Sequence, residues 1–207
     1  MSYFSLEGLV GSGKSSVLKI LASFLKKEKK PFSVVSEPVF LFTKYQEGVY
    51  NPLVEMQKDP TRNMVTAQMH ILTQSRDYYS RALLTDSSSL IVSDRSIFSC
   101  YAFIDCYFRK KYFTRFSKDF MINMWREECE RVHSPDCFIF IDTPPEKYRN
   151  HLIDDSQCSF LDRTTGTQDF LTDLRCSHEK MFSITDVPVD RVEVAEHMTP
   201  ADVAMAV

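Results

Sequence analysis

The chain is poor in glycine, has a single tryptophan, and lacks both paired cysteines and long apolar runs. With only 5 glycines among 207 residues and 43% hydrophobic residues, its composition excludes a repeat array or a disordered chain. No stretch approaches the roughly 18 apolar residues that a membrane-spanning helix needs. The first residues run directly into a short apolar strand, so we also expect no signal peptide. These absences predict a soluble, intracellular protein without a membrane partner.

The cysteines and the charged residues exclude further classes of protein. The six cysteines are scattered without a C-x-x-C pair, which is typical neither of a zinc site nor of a disulfide framework. We expect reduced, mostly buried thiols. The formal net charge of −3 argues against a general nucleic-acid-binding protein, which would normally carry a basic excess. We therefore expect no nucleic-acid partner.

Alternating apolar strands and amphipathic helices predict an α/β fold. Helical spacing covers residues 15–27, 60–84, 97–109, 118–132 and 169–182, and a further helix is expected to open at 143–146. Short apolar runs predict strands at 3–6, 32–36, 89–93, 137–141 and 191–194. Such alternation is typical of a parallel sheet covered on both faces. The sequence thus predicts a three-layer fold with a five-stranded parallel sheet, in a single domain over residues 1–207.

Three of the five glycines fall in one stretch, Gly8-Leu9-Val10-Gly11-Ser12-Gly13-Lys14-Ser15. It fits the phosphate-loop pattern G-x-x-x-x-G-K-[ST] at every fixed position, with a strand before it and a helix behind it. Backbone N–H groups and the helix N-terminus surround phosphate oxygens in such loops. We expect all eight residues to bind ATP, with Lys14 at the β- and γ-phosphates and Ser15 at Mg²⁺. The alternative, a chance match in a turn, is disfavoured by the fit in both sequence and context.

Charged residues follow two further predicted strands. Glu37 lies at the tip of the second strand, where a carboxylate could accept a proton from an attacking hydroxyl; it could also be a surface or helix-capping residue. Asp94 and Arg95 end the third strand, where an acidic group can hold Mg²⁺ and an arginine can bridge the attacking oxygen and the transferred phosphoryl group. A structural ion pair is the alternative for these two residues. Active sites of parallel sheets lie at the carboxyl ends of the strands, so these residues belong near the phosphate loop.

These motifs resemble those of the deoxyribonucleoside kinases, the family that includes deoxycytidine, deoxyguanosine and mitochondrial-type thymidine kinases. The resemblance covers most of the chain in the right order, and it rests on Gly8–Ser15, Ser36–Val39, Lys58–Arg62 with Gln68, Asp94–Ser99 and, more weakly, Asp169–Leu171 with His178 and Glu179. It implies an enzyme that uses Mg²⁺ and transfers the γ-phosphate of ATP to the 5′-hydroxyl of a deoxynucleoside.

The resemblance also implies roles for single residues. Glu37 matches the family's general base, and Arg95 matches the arginine beside the sugar hydroxyl and the transferred phosphate. Asp94 stands where the family usually has glutamate, and the resemblance implies that it keeps an acidic role, either at Mg²⁺ or as a base. Gln68 matches the glutamine whose amide pairs with the nucleobase; without the resemblance, an ordinary exposed helical glutamine is the simpler interpretation.

Several positions near the expected nucleoside depart from the family. Deoxycytidine-type members carry an Arg and an Asp where this chain has Ser75 and Cys100, and their loss resembles the thymidine-accepting members. The tyrosine that the family uses near the sugar 3′-hydroxyl is Gln57 here, and Tyr50 is a candidate substitute. The expected nucleoside-binding residues are therefore Glu37, Tyr50, Gln57, Gln68, Arg95 and Cys100.

The lid over the phosphates is the most serious departure. Family members have an arginine-rich segment there, whereas the lid-like loop at about residues 150–168 offers only Arg163. We expect Arg163 to contact ATP, with Arg149 as a second candidate. Because phosphoryl transfer depends largely on charge stabilisation, either this clamp is built differently or transfer is slow.

Taken together, the sequence predicts a deoxynucleoside kinase that most resembles the thymidine kinases. One alternative is a thymidylate-type nucleoside monophosphate kinase, which shares the loop and the sheet but needs basic residues at the acceptor site. The other is a nucleotide-binding protein with little catalysis, for which the depleted lid is the motivation. Family members are commonly dimers, and residues 97–116 with 120–131 could form a homodimer interface.

Overall fold

The computed structural model describes residues 1–43, 50–86, 88–143, 168–195 and 197–207. Its strands are β1 (Ser2–Gly8), β2 (Phe32–Val35), β3 (Leu90–Asp94), β4 (Cys137–Asp142) and β5 (Val189–Glu193). Its helices are α1 (Lys14–Lys27), α2 (Val39–Phe42), α3 (Pro52–Lys58), α4 (Pro60–Thr85), α5 (Ser99–Arg109), α6 (Arg115–Cys129), α7 (Gln168–Ser183) and α8 (Pro200–Ala206).

The strands form one five-stranded sheet in the order β2-β3-β1-β4-β5, and every neighbouring pair is parallel. Strand β1 is central, and Leu6 lies opposite Asp94 of β3 and Ile139 of β4. The chain leaves β1 at Gly8 and leaves β3 at Asp94, so the phosphate loop and the acidic strand end meet at one edge of the sheet. The predicted five-stranded parallel sheet is confirmed.

Two apolar layers cover the sheet because its central strands bury both of their faces. Successive side chains of a strand point to opposite faces, so Phe138 and Phe140 pack on the side of α4 to α7, while Ile139 and Ile141 pack on the side of α1 and α8. Such strands need nearly continuous apolar sequence, which explains the run of residues 137–141. The predicted three-layer arrangement is therefore confirmed.

The boundaries of most elements lie within a few residues of the predicted ones, and three short helices were not predicted. Helix α2 forms just after Glu37 and Pro38. Helix α3 begins with Pro52 at its first turn, and the side chain of Asn51 accepts N–H bonds from Leu53 and Val54. Helix α8 has a reciprocal capping box between Thr199 and Asp202. Residues 144–146 of the helix predicted to open at 143–146 and residues 150–167 of the lid-like loop lie outside the described residues, and Gln168 already belongs to α7.

The predictions about membrane-spanning helices and about the cysteines can be compared with the described residues. No helix among them combines the length and the apolar character needed to cross a bilayer. Five of the six cysteines are described, all as free thiols, and Cys100, Cys106 and Cys137 are buried. Cys158 lies outside the described part of the chain.

Candidate active site

The phosphate loop turns from the end of β1 into the start of α1. Gly13, the residue before the helix, has a φ of 84°, a left-handed conformation that strongly favours glycine. Its carbonyl accepts the N–H groups of Ser16 and Val17 at 3.0 and 2.9 Å, and these bonds begin the helix. The positive end of the helix dipole therefore faces the loop, as a phosphate site requires.

Lys14 is folded back into this loop rather than extended into solvent. It is 6% exposed, and its Nζ donates to the carbonyl oxygens of Gly8 and Leu9 at 3.2 and 2.8 Å and to Ser12 Oγ at 3.3 Å. Burial, together with the nearby Arg95 cation, lowers the pKa of Lys14 to about 8. A triphosphate in the loop would offer anionic acceptors to this ammonium group and would favour its charged form.

Arg95 is held in an uncommon backbone conformation at the end of β3. It has a φ of 65°, and its N–H donates to the carbonyl of Leu6 at 2.9 Å. Its Nε lies 3.2 Å from Glu37 Oε1, and its guanidinium lies 5.1 Å from the ring centroid of Phe103. The contact between Nε and Glu37 is an ion pair without hydrogen-bond geometry, and Nη1 is buried without a hydrogen-bond partner within the described residues. N–H donors are costly to bury without a hydrogen bond, so the arginine is prepared for an anionic ligand.

Glu37 lies between the interior of the site and solvent, with 29% of its side chain exposed. Burial by the surrounding protein raises the pKa of Glu37, while the Arg95 cation opposes that rise. Asp94 and Lys14 also act on this carboxylate with opposite signs. A carboxylate with a raised pKa and an accessible oxygen has the properties of a general base.

Asp94 and Ser15 join the end of β3 to the phosphate loop. Ser15 Oγ donates to Asp94 Oδ2 at 2.6 Å, and the hydroxyl of the buried Tyr79 donates to the backbone carbonyl of Asp94 at 3.1 Å. The other carboxylate oxygen, Oδ1, is buried and has no hydrogen-bond partner in the described ranges. Hydroxyl and carboxylate oxygens suit Mg²⁺, which typically takes one or two protein ligands and fills its shell with phosphates and water. These residues fit such an ion, and the described residues hold no larger cluster of metal-binding side chains.

The residues expected at the nucleobase are mostly buried and uncharged. Gln68 is 3% exposed, which excludes an exposed helical glutamine, and its Nε2 donates weakly to Met56 Sδ at 3.8 Å. Gln57 Nε2 is buried and lacks a hydrogen-bond partner within the described residues. Cys100 Sγ lies 3.9 Å from Ser75 Oγ, so the two departures from the family are neighbours. Burial raises the pKa of Cys100 to about 12, which keeps it a neutral thiol.

The remaining residues predicted to contact the nucleoside or ATP are exposed or lie outside the described residues. Tyr50 is 51% exposed, so its contribution to the nucleoside site stays a prediction. Arg149 and Arg163 lie outside the described residues, and their expected contacts with ATP stay predictions as well.

Sequence reasoning missed Glu7, the residue immediately before the loop. It is 0% exposed and accepts hydrogen bonds from the hydroxyls of Ser5 at 2.9 Å, Ser96 at 3.0 Å and Ser99 at 2.6 Å. His178 Nε2 lies 3.9 Å from the same carboxylate. A carboxylate at the end of an apolar strand, directly before a phosphate loop, was the available signal, since charged residues are almost never fully buried without partners.

The strand order and the helices on both faces of the parallel sheet define a protein of the α/β class. A sequence profile of the deoxynucleoside kinases matches residues 4–203, and the chain belongs to that family.

Two known proteins illustrate the relationship. A thymidylate kinase from Neorickettsia sennetsu is 29% identical over 103 residues, and this alignment spans 49% of this chain and 49% of that protein. The chain therefore matches only about half the length of that relative. The structure of a deoxyadenosine kinase from M. mycoides superimposes with a TM-score of 0.73 at 17% identity, over 99% of this chain and 95% of that one. At this identity the likeness shows the fold.

Proposed function

We propose that the protein transfers the γ-phosphate of ATP to the 5′-hydroxyl of a deoxynucleoside. The observation that carries the proposal is the pairing of Arg95 Nε with Glu37 Oε1 at 3.2 Å beside a complete phosphate loop. A phosphate loop alone would suit any acceptor of the phosphoryl group. A partly exposed carboxylate next to an arginine whose buried Nη1 has no hydrogen-bond partner in the described chain suits an acceptor that must lose a proton.

The geometry gives each residue a separate task. Glu37 accepts the proton of the sugar hydroxyl as that oxygen attacks the γ-phosphorus, and the bond to the β-phosphate oxygen breaks to release ADP. Arg95 turns its unpaired N–H groups to the transferred phosphoryl oxygens, and Lys14 stays with the β- and γ-phosphates. Ser15 and Asp94 would hold Mg²⁺, which would screen the charge of the phosphates when bound. Arg163 remains our candidate for a further contact with ATP.

Thymidine is the deoxynucleoside that we propose as the preferred substrate. Gln68 offers a buried amide, whose adjacent donor and acceptor match one edge of a pyrimidine. Ser75 and Cys100 are small, neutral and 2% and 5% exposed, so they leave space near the base without a buried charge. We propose that Gln57 supplies its unpaired amide to the sugar, with Tyr50 at the rim of the same site.

A thymidylate-type nucleoside monophosphate kinase is the second candidate, because the Neorickettsia sennetsu relative is a thymidylate kinase. In that reaction the acceptor is a phosphate, which needs no general base and favours basic residues around the acceptor. At the reacting end of the site, Glu37 instead places a partly exposed carboxylate 3.2 Å from Arg95 Nε. A carboxylate there repels an anionic phosphate and can take a proton from a hydroxyl, which favours a nucleoside as acceptor.

A panel of acceptors tests the proposal. ADP release would be measured with ATP and each of the four deoxynucleosides, and with thymidine monophosphate. Glu37→Gln keeps the shape of the side chain but removes the base, so we expect kcat to fall by about 10²- to 10⁴-fold. ATP affinity, measured by calorimetry, should stay nearly unchanged because Glu37 lies outside the phosphate loop.

Three outcomes would contradict the proposal. Turnover with thymidine monophosphate but not with thymidine would favour the monophosphate kinase. Binding of ATP and thymidine without ADP release would indicate a nucleotide-binding protein with little catalysis. Retention of most of the rate by Glu37→Gln would show that another group takes the proton.

We also propose that residues 1–207 form a single kinase domain that associates as a homodimer. Much of the segment 97–113 is core, but Phe116 and Phe120 are 80% and 45% exposed at the start of α6. These aromatic side chains would form part of the contact between copies. A monomeric mass in sedimentation velocity at micromolar concentration would contradict this proposal.

A further inference from the structure

Glu7 is a buried carboxylate that the proposed reaction does not use directly. It is 0% exposed at the end of β1, so it cannot touch a substrate in the site. Oε1 accepts from Ser5 and Ser96 at 2.9 and 3.0 Å, and Oε2 accepts from Ser99 at 2.6 Å. Two of these three hydroxyls belong to the turn that follows Arg95. Glu7 thus ties the phosphate-loop strand to the backbone that carries the arginine.

Glu7 also acts on Arg95 through charge. Burial alone would lower the pKa of Arg95, but Glu37, Glu7 and Asp94 together raise it, in that order of strength. Burial raises the pKa of Glu7, whereas the Arg95 cation and the three hydroxyls favour its charged form. Both oxygens of Glu7 accept hydroxyl hydrogen bonds, as a carboxylate does. A carboxylate here and the Arg95 cation would each be costly to bury alone.

Among the other titratable groups near Glu7, Lys14 is a second cation, but Glu7 acts on its pKa less than Arg95, Asp94 and Glu37 do. His178 and Tyr3 supply no positive charge. Burial and the Arg95 cation lower the pKa of His178 to about 3, so the imidazole is neutral at physiological pH. Its Nδ1 lies 2.9 Å from the Leu174 carbonyl, and its Nε2 has no hydrogen-bond partner in the described chain. Burial also raises the pKa of Tyr3 above its ordinary value and keeps it uncharged.

In the proposed mechanism, Glu37 cannot neutralise the Arg95 cation throughout the reaction. In the structure, Glu37 is the main counter-charge of Arg95. As the general base, however, Glu37 turns to the sugar hydroxyl and becomes neutral when it takes the proton. The charge of Arg95 would then be balanced by the phosphoryl group and by a fixed negative charge behind the arginine. Glu7 is buried, does not exchange protons with the substrate, and lies on the interior side of the arginine's turn.

We propose that Glu7 is a positioning residue that holds the Arg95–Ser99 turn and keeps Arg95 compensated while Glu37 acts as the base. This inference rests on the proposed kinase activity. It predicts that Glu7 affects the chemical step through Arg95 and not the binding of ATP or of the nucleoside. It also predicts that Glu7 and Arg95 behave as a coupled pair when both are replaced.

The first test is steady-state kinetics of Glu7→Gln, which keeps the size of the side chain and removes the charge. We expect kcat to fall about 10- to 100-fold, while KM for ATP and for the nucleoside changes less than about threefold. Glu7→Asp, which keeps a carboxylate, should recover part of the loss. A variant that is folded but has the kcat of the wild type, or a variant in which only KM for ATP rises, would overturn the proposal.

The second test is a double-mutant cycle with Arg95→Met. If Glu7 acts through Arg95, Glu7→Gln should lower kcat much less in the Arg95→Met background, with residual turnover followed by labelled phosphate transfer. The same four proteins would be compared in urea unfolding. The double variant should lose less free energy of unfolding than the two single variants lose when their losses are added. Equal losses in both backgrounds would overturn the inference. Because the unfolding cycle needs no turnover, it tests the pair even where the wild type proves inactive and the proposed function fails.

Asp105→Asn is a matched control for these measurements. Asp105 is also a buried carboxylate, 1% exposed, and it pairs with Lys118, Lys180 and Arg109 where α5 meets α6 and α7. Its replacement should lower stability without changing kcat. Equal losses of kcat in Asp105→Asn and Glu7→Gln would show that any buried charge loss slows the enzyme, which would contradict a specific role for Glu7.

Discussion

Replacement of Asp105 by Asn removes the charge that joins three helices. Asp105 lies on α5; its Oδ1 accepts from Lys118 of α6 at 2.5 Å and from Lys180 of α7 at 3.0 Å. Its Oδ2 accepts from Arg109 at 2.9 Å and from Ser177 at 3.1 Å. The Asn side chain keeps the shape, but it turns a neutral amide to these cations.

The size of the effect follows from the burial of the partners. Breaking a buried ion pair from one side typically costs about 3–5 kcal/mol, because an uncompensated charge is left behind. Lys118 is 11% exposed and would be left in that state, whereas Arg109 and Lys180 are 38% and 43% exposed and can turn to water. We therefore expect a loss of about 2–4 kcal/mol in the free energy of unfolding, or about 5–15 °C in Tm for a chain of this size.

The loss should depend on pH in a defined direction. Burial alone would raise the pKa of Asp105, but the hydrogen bonds from Lys118, Arg109 and Lys180 bring it well below its ordinary value. A carboxyl group whose pKa is depressed in the folded state stabilises the fold above its unfolded pKa of about 3.9, and the contribution is lost as pH falls further. The difference between wild type and Asp105→Asn should therefore be full at pH 7 and should narrow below about pH 4.

Urea unfolding at pH 7 and at pH 3.5 measures both effects. Asp119→Asn is the control, because Asp119 pairs with Arg115 on the surface, where the side chains are 54% and 80% exposed. That exposed pair should contribute little to stability, because water screens its charges. If Asp105→Asn unfolds at the same urea concentration as Asp119→Asn, the three cations do not depend on Asp105 and the reasoning is wrong.

Two further predictions concern the loop and the base site. A Cβ on Gly8, where φ is 153°, would lie 2.8 Å from Ser12 Oγ and 3.0 Å from the carbonyl oxygen of Ile141, whereas a Cβ on Gly13 would have nothing within 4 Å. Gly13→Ala should thus lower the free energy of unfolding only by the backbone strain of about 1–2 kcal/mol. Gly8→Ala should lower it more, because its Cβ has no room, and should weaken ATP binding further. Urea unfolding and calorimetry would measure these two effects, and equal losses in the two variants would contradict the prediction. Ser75→Arg combined with Cys100→Asp should shift the ratio of kcat/KM from thymidine toward deoxycytidine by about tenfold or more. Each single variant should be less active than the pair, because it buries a lone charge, and an unchanged ratio would contradict the assignment of these positions.

The sequence was sufficient to predict those parts of the site that depend on a local motif or on the topology of the sheet. The loop is a contiguous motif, and Glu37 and Asp94 follow strands whose ends must meet in a parallel sheet. Their side chains do come together, since Ser15 contacts Asp94 and Arg95 contacts Glu37.

The role of Glu7 could not be predicted in the same way. Its partners Ser96 and Ser99 lie 89 and 92 residues away in sequence, and no local pattern shows that their hydroxyls point at β1. Asp105 is a similar case, because Lys180 lies 75 residues further along the chain. The burial of Gln68 depends on the packing of α3 against α4, and α3 itself was missed although Asn51 and Pro52 gave a capping signal. Contacts between distant segments decide these features, and composition and periodicity do not carry that information.

Identification of the reaction product tests the central claim most directly. The wild-type protein would be incubated with Mg·ATP and thymidine, and the products would be separated and assigned by ³¹P NMR and mass spectrometry. We predict equal amounts of ADP and thymidine 5′-monophosphate, with no further conversion to the diphosphate. ADP without a phosphorylated nucleoside, or consumption of added thymidine monophosphate in place of thymidine, would contradict the account.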